Sequence, residues 1–364
     1  MKSKLPWLVL TLSGLALALF FFFNPVQQAG DIVEYYGSSQ SLLSHGGVAL
    51  TANDQQQLEQ VLHPAYFRDP GYYLTGRAGQ RYPVHFVFYS LLLLPARLLL
   101  RLVAENELRA LALTNVLLAV LALAFVFKKF LKPTFSRFFL LTLFFLSPLA
   151  FFFSWPGPDL LYVSLLLIAL YYFGQKNYLL ASISTAVASW HSQPLLIMSL
   201  AFLLFFAWQE IKLEKSNKKT QLVLPAQIIT GAMGVGVLTF IPYLYNLWAF
   251  GVLTPWTILQ NGWTQISGFG LQNLSWQRLF EQFFDLNMGL FVYAPLLFIA
   301  AAAAFLVAAT KDKRQCWLFL AMLLTAFFYQ TNPAWHFGTA GYGPGRHVIF
   351  VLPFLFYWLV KVLK

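Results

Sequence analysis

Apolar runs of near-membrane length recur from one end of this chain to the other, and dense clusters of lysine and arginine separate them. A run of about 20 apolar residues crosses the hydrocarbon as a helix, because only then are its backbone groups bonded within the segment. Charged residues make up 10% of the chain and apolar residues 59%, against about 25% charged in an ordinary soluble domain. The 364 residues are therefore expected to form an all-α, polytopic membrane protein, one unit over 1–364. The formal charge of +11 would suit nucleic acid, but the basic residues gather at the ends of apolar runs. Positive-inside bias and snorkelling account for them there, so no nucleic-acid partner is expected. The lone Cys316 rules out an intramolecular disulfide and a cysteine-rich metal site.

The basic clusters set the orientation. MKSK at the start, 128–137, 212–219, 311–314 and the terminal KVLK are all expected on the cytoplasmic side. The first apolar stretch is longer than a signal-peptide core of about 7–15 residues, and many spans follow, which favours an uncleaved first helix. About ten crossings then satisfy every cluster: 6–23, 109–127, 138–154, 160–173, 178–190, 194–209, 222–248, 288–309, 316–330 and 346–361. The segment 84–104 contains Pro95, Arg97 and Arg101 and reads as a helix along the outer interface. Counting it as a crossing would place the basic stretch 128–137 outside. A long extracytoplasmic region, 24–108, therefore follows the first span. A second external loop covers 250–287, with an amphipathic piece, LSWQRLFEQFF, at the interface.

On this topology one membrane face collects Asp31, Glu34, Arg81, His85, Asp159, His191, Trp335, His336, Tyr342, Arg346 and His347 from distant parts of the chain. Asp31 and Glu34, three apart, share a helix face if a helix begins near 31. A carboxylate there can take a proton from a hydroxyl or hold a divalent cation; Asp31 can equally cap the helix. In RYPVH, Pro83 suits a first helical turn, which would set Arg81 at a helix start to grip a lipid phosphate or to anchor the interface. Asp159 follows a Pro-Gly-Pro turn, as a helix cap or as a second acid of the same cavity. The stretch 332–353 holds four glycines, Gly338, Gly341, Gly343 and Gly345, that permit close backbone approach to a ligand. Trp335 and Tyr342 offer flat faces for a sugar or lipid there, and Arg346 can pair with a phosphate or snorkel. No HExxH or nucleotide-binding glycine loop occurs, and the six histidines lack ligand spacing.

The order GDIVEYYGSSQSLL, RYPVHFVFYSLLLLPARLL, SPLAFFFSWPGPD, GLFVYAPLLFI and GYGPGRHVIFVLPFL resembles the polyprenol-phosphate-sugar-dependent glycosyltransferases of the GT-C fold. That group includes protein O-mannosyltransferases and aminoarabinose transferases of lipid A. The resemblance implies that the first external loop supplies the catalytic acid, here Asp31, with Glu34 and Asp159 as further acids. Ile32 follows Asp31, so the family's common Asp-Glu pair is missing. It implies that Arg81 and Arg346, with His85, Trp335, His336 and Tyr342, hold the lipid phosphate and sugar. A divalent cation, Mg or Mn, on Asp31 or Glu34 is optional in this picture. The implied activity is inverting transfer of a sugar from a polyprenyl-phosphate carrier to a hydroxyl of a lipid, glycan or protein. The implied location is the bacterial cytoplasmic membrane, with the site facing the periplasm or cell exterior. A transporter or flippase for a lipid-linked or small solute is the alternative; it would require ionisable residues within spans and an inverted repeat. An assembly partner and a polyprenyl-lipid ligase or polymerase are further rivals.

Overall fold

The computed structural model describes residues 4–28, 31–63, 73–216, 226–254, 270–332 and 344–363. Among these are fifteen α-helices and one two-stranded sheet. Helix α1 is Leu5–Phe23, started by Pro6 in its first turn. The region expected to be external then supplies α2 (Ile32–His45), α3 (Ala52–Val61), strands β1 (Tyr73–Thr75) and β2 (Arg81–Pro83), and α4 (Phe88–Leu102). The bundle continues with α5 (Ala110–Lys129), α6 (Thr134–Phe145), α7 (Asp159–Gly174), α8 (Tyr178–Ala188), α9 (Leu196–Ser216) and α10 (Ala226–Phe250). It closes with α11 (Trp276–Phe284), α12 (Leu290–Tyr293), α13 (Pro295–Lys311), α14 (Arg314–Tyr329) and α15 (Leu352–Val362).

Four of the described helices are long and apolar enough to cross a membrane: Leu5–Phe23, Glu107–Lys129, Gln193–Ile211 and Ala226–Phe250. The other apolar helices expected to cross are shorter; α7 has 16 residues, a rise of about 24 Å. It is nevertheless the centre of the bundle, packed on α5, α8 and α15 and buried along almost its whole length. Its first residue, Asp159, is therefore fully buried rather than at an exposed end, and this placement positions the site.

The region between α1 and α5 has its own core. Ile32, Tyr35 and Tyr36 of α2 pack with Leu58, Tyr73, Tyr89, Leu93 and Leu111. Gly46, at φ 72°, ends α2 in the left-handed conformation that glycine tolerates best. Asp54 ties the next turn together. It forms a capping box with Thr51 and accepts from Ser44 Oγ at 2.6 Å and His45 Nε2 at 3.0 Å. Burial works against its charge, but these donors hold the carboxyl down at about 2.

One expectation for this region is corrected. RYPVH does not open a helix: Arg81–Pro83 pairs antiparallel with Tyr73–Thr75, and α4 begins at Phe88. Pro83 sits at the strand's end, where its missing N–H costs no ladder bond. Within α4, Arg97 is fully buried and fastens the helix to α2.

Candidate active site

Asp31 stands at the N-cap of α2, yet its side chain makes no cap hydrogen bond. Its carboxylate instead receives Arg346 Nη1 at 3.0 Å. Asp159 is likewise the first residue of α7 without serving as a side-chain cap. It accepts Arg346 Nε at 2.9 and 3.1 Å on its two oxygens and the Tyr162 hydroxyl at 2.8 Å. One guanidinium thus joins two carboxylates that lie 128 residues apart in the chain, from α2 and α7. Arg346 itself opens the 3₁₀ turn Arg346–Val351 that leads into α15.

The WPGP turn before α7 fixes this geometry. Asn115, a polar residue within α5, donates to the Trp155 carbonyl at 2.8 Å and accepts the Tyr89 hydroxyl at 2.9 Å. A Cβ on Gly157 would come within 2.9 Å of Trp155 Nε1 and 3.0 Å of Asp159 Oδ2, so only glycine fits. The Trp155 ring lies 5.4 Å from the Arg346 guanidinium, within cation–π range.

A second acid pair adjoins the first. Glu34, 1% exposed, accepts the His85 backbone N–H and holds His85 Nδ1 at 2.6 Å. The His85 side chain is 34% exposed, and its Nε2 bonds to none of the described residues. Tyr73 anchors this turn of α2 through the Glu34 carbonyl at 3.1 Å, and Gly37 leaves the room its hydroxyl needs.

The electrostatics separate the two acids. Burial pushes the Asp31 carboxyl up, but Arg346, His85 and His347 together bring it below its ordinary range. Burial pushes Glu34 up as well, and the neighbouring His85 does not fully offset it, so Glu34 stays raised. Burial disfavours the His85 charge; Glu34 and Asp31 outweigh it and lift His85 to about 9. His191 behaves oppositely. Burial, with His85 and Arg346 nearby, lowers it to about 3, and its neutral ring accepts the Tyr89 N–H at Nε2, 3.1 Å. That leaves the proton on Nδ1, a buried atom with no hydrogen-bond partner among the described residues, as is Trp155 Nε1.

The structure therefore brings Asp31, Glu34, His85, Asp159 and Arg346 together. Arg81 is not joined to them. Its guanidinium donates to Gln55 at 3.2 Å and its backbone serves the hairpin. Trp335, His336 and Tyr342 lie outside the described residues. His347 bonds Asn332 at 3.2 Å beside the Tyr329 ring. Among the described residues no group of three or more His, Cys, Asp or Glu is arranged to hold a metal ion. Asp31 and Glu34 each face a cation of the protein, and a divalent ion would have to displace Arg346 or His85. Sequence reasoning missed Tyr35, Trp155, Tyr162 and Asn115. Tyr162, one turn after Asp159 on the same helix face, and Asn115, a polar residue inside an apolar span, carried a readable signal.

This arrangement sets an ionised carboxylate, two cations and buried donors without a partner among the described residues close to one another. No family model matches the chain, and neither curated proteins nor solved structures give a match.

Proposed function

We propose that the protein is a GT-C-type glycosyltransferase of about ten crossings that moves a sugar from a polyprenyl-phosphate carrier to an acceptor hydroxyl on the extracytoplasmic face. The observation that carries this reading is the shared guanidinium: Arg346 bridges Asp31 and Asp159. Asp31 takes the proton of the acceptor hydroxyl as its oxygen attacks the anomeric carbon. The bond from that carbon to the phosphate oxygen breaks, and its electron pair leaves with the phosphate. Arg346 and His85 stabilise the charge that develops there. A single displacement inverts the anomeric centre. Glu34 orients His85, and Asp159 orients Arg346, through the bonds described above.

The reading also draws on the unpartnered buried donors His191 Nδ1 and Trp155 Nε1, since buried polar atoms are nearly always bonded in a completed site. The enzyme would sit in a bacterial cytoplasmic membrane, its acceptor a lipid, glycan or protein. Mass spectrometry of lipids from cells lacking the protein tests the proposal. One polyprenyl-phosphate sugar should accumulate, and complementation should clear it; an unchanged lipid profile contradicts the reading.

A further inference from the structure

The five N–H donors of Arg346 are used unequally. Nε is shared by both oxygens of Asp159, Nη1 makes one bond to Asp31, and Nη2 donates to none of the described residues. The two carboxylates are also held unequally. Asp159 is 0% exposed and has Tyr162 as a second donor. Asp31 is 18% exposed, and Arg346 is the one hydrogen-bond partner of its carboxylate among the described residues. A phosphate approaching the Nη edge could take Nη1 and Nη2 side by side, the two-point geometry that guanidinium offers oxyanions. Only the Asp31 bond stands in its way.

We infer that the donor's phosphate binds Arg346 in exchange for Asp31, while Asp159 keeps hold of Nε as the fixed positioning partner. The inference rests on the proposed function and adds an order of events. In the empty site Asp31 is engaged by Arg346 and is a weak base. Once phosphate takes the guanidinium, the strongest of the cations that hold the Asp31 carboxyl down is neutralised, and His85 and His347 are left to oppose the effect of burial, so the carboxyl rises. Donor arrival thus frees the carboxylate and makes it a better proton acceptor. The acceptor hydroxyl then meets a competent base only in the donor-loaded enzyme, which couples the two substrates without a moving domain.

The test compares binding of a short-chain polyprenyl phosphate to the full-length protein in nanodiscs, for wild type, Asp31→Asn and Asp159→Asn. Both substitutions remove one negative charge, so simple electrostatics would tighten both alike. Exchange at Arg346 requires opposite signs. Asp31→Asn should bind roughly tenfold tighter than wild type, and Asp159→Asn more weakly than wild type by a similar factor. Tyr162→Phe, which removes only the second support of Asp159, should weaken binding by about threefold and serves if Asp159→Asn does not fold. Equal tightening in both aspartate variants, or no tightening in Asp31→Asn, overturns the exchange while leaving the transferase reading intact. A wild-type protein that binds no polyprenyl phosphate overturns the transferase reading and the exchange with it.

Discussion

Two partly or wholly buried arginines, Arg97 and Arg346, solve the same electrostatic problem in opposite ways. Arg97 is fully buried, and all its donors are taken. Nε and Nη2 reach Glu107 at 3.0 and 2.7 Å, Nη1 reaches the Tyr36 carbonyl and Ser39 Oγ, and Nη2 also reaches Gln40. Its face lies 4.0 Å from the Tyr36 ring centre. Glu107 takes its charge and shares itself with Arg101. Arg346 is 20% exposed, carries two carboxylates, and its Nη2 donates to none of the described residues. A cation with every donor taken fastens helices; on the proposed reading, one with a donor unused beside two carboxylates exchanges partners.

That contrast can be broken by substitution. Arg97→Ala would strip the Tyr36 carbonyl, Ser39 Oγ and Gln40 Oε1 of their buried donor and leave Glu107 to Arg101 alone, and removing one member of a buried pair costs about 3–5 kcal/mol. Thermal unfolding in detergent should fall accordingly, while polyprenyl-phosphate affinity per folded molecule stays as in wild type; a normal melting temperature would show that Arg97 is not the fastener. Arg346→Lys keeps a charge and loses the fork. Turnover should drop by about 100-fold or more with the melting temperature nearly unchanged. Near-normal turnover would remove Arg346 from the chemistry.

The Glu34–His85 pair sharpens the comparison further, because its cation can titrate whereas Arg346 cannot. His85 rises from its ordinary 6.5 to about 9 in the folded protein. Its contribution to stability is whole below about 6.5 and is lost as pH climbs through about 9. The melting temperature of wild type should therefore fall over that window, and His85→Gln should flatten the fall. Equal pH profiles in the two proteins would mean that the pair is not charged in the fold.

Much of the architecture was legible because hydropathy and capping are local. The basic pairs and apolar lengths that bound α1 and α5 stand in the sequence, and the structure begins and ends these helices within a few residues of the expected limits. Asp31, Glu34, His85, Asp159 and Arg346 were legible as one group because the orientation expected from the basic clusters gathers them on one side. What resisted reading depended on partners far along the chain. Pro83 looked like a helix start until Tyr73 supplied a strand, and Tyr245 of α10 fixed its carbonyl at 3.1 Å. The burial of Arg97 could not be read locally because its acceptors belong to α2 and to the turn before α5. The roles of the acids also depended on pairing: Asp31 is held by Arg346 and Glu34 by His85, a division that three-residue spacing does not reveal.

Turnover of a defined polyprenyl-phosphate sugar by the protein in proteoliposomes, wild type beside Asp31→Asn, bears on the central claim most directly. The account predicts release of polyprenyl phosphate with inversion at the anomeric carbon by wild type, and loss of about 10²–10⁴-fold in folded Asp31→Asn. Release by Asp31→Asn at the wild-type rate would contradict it.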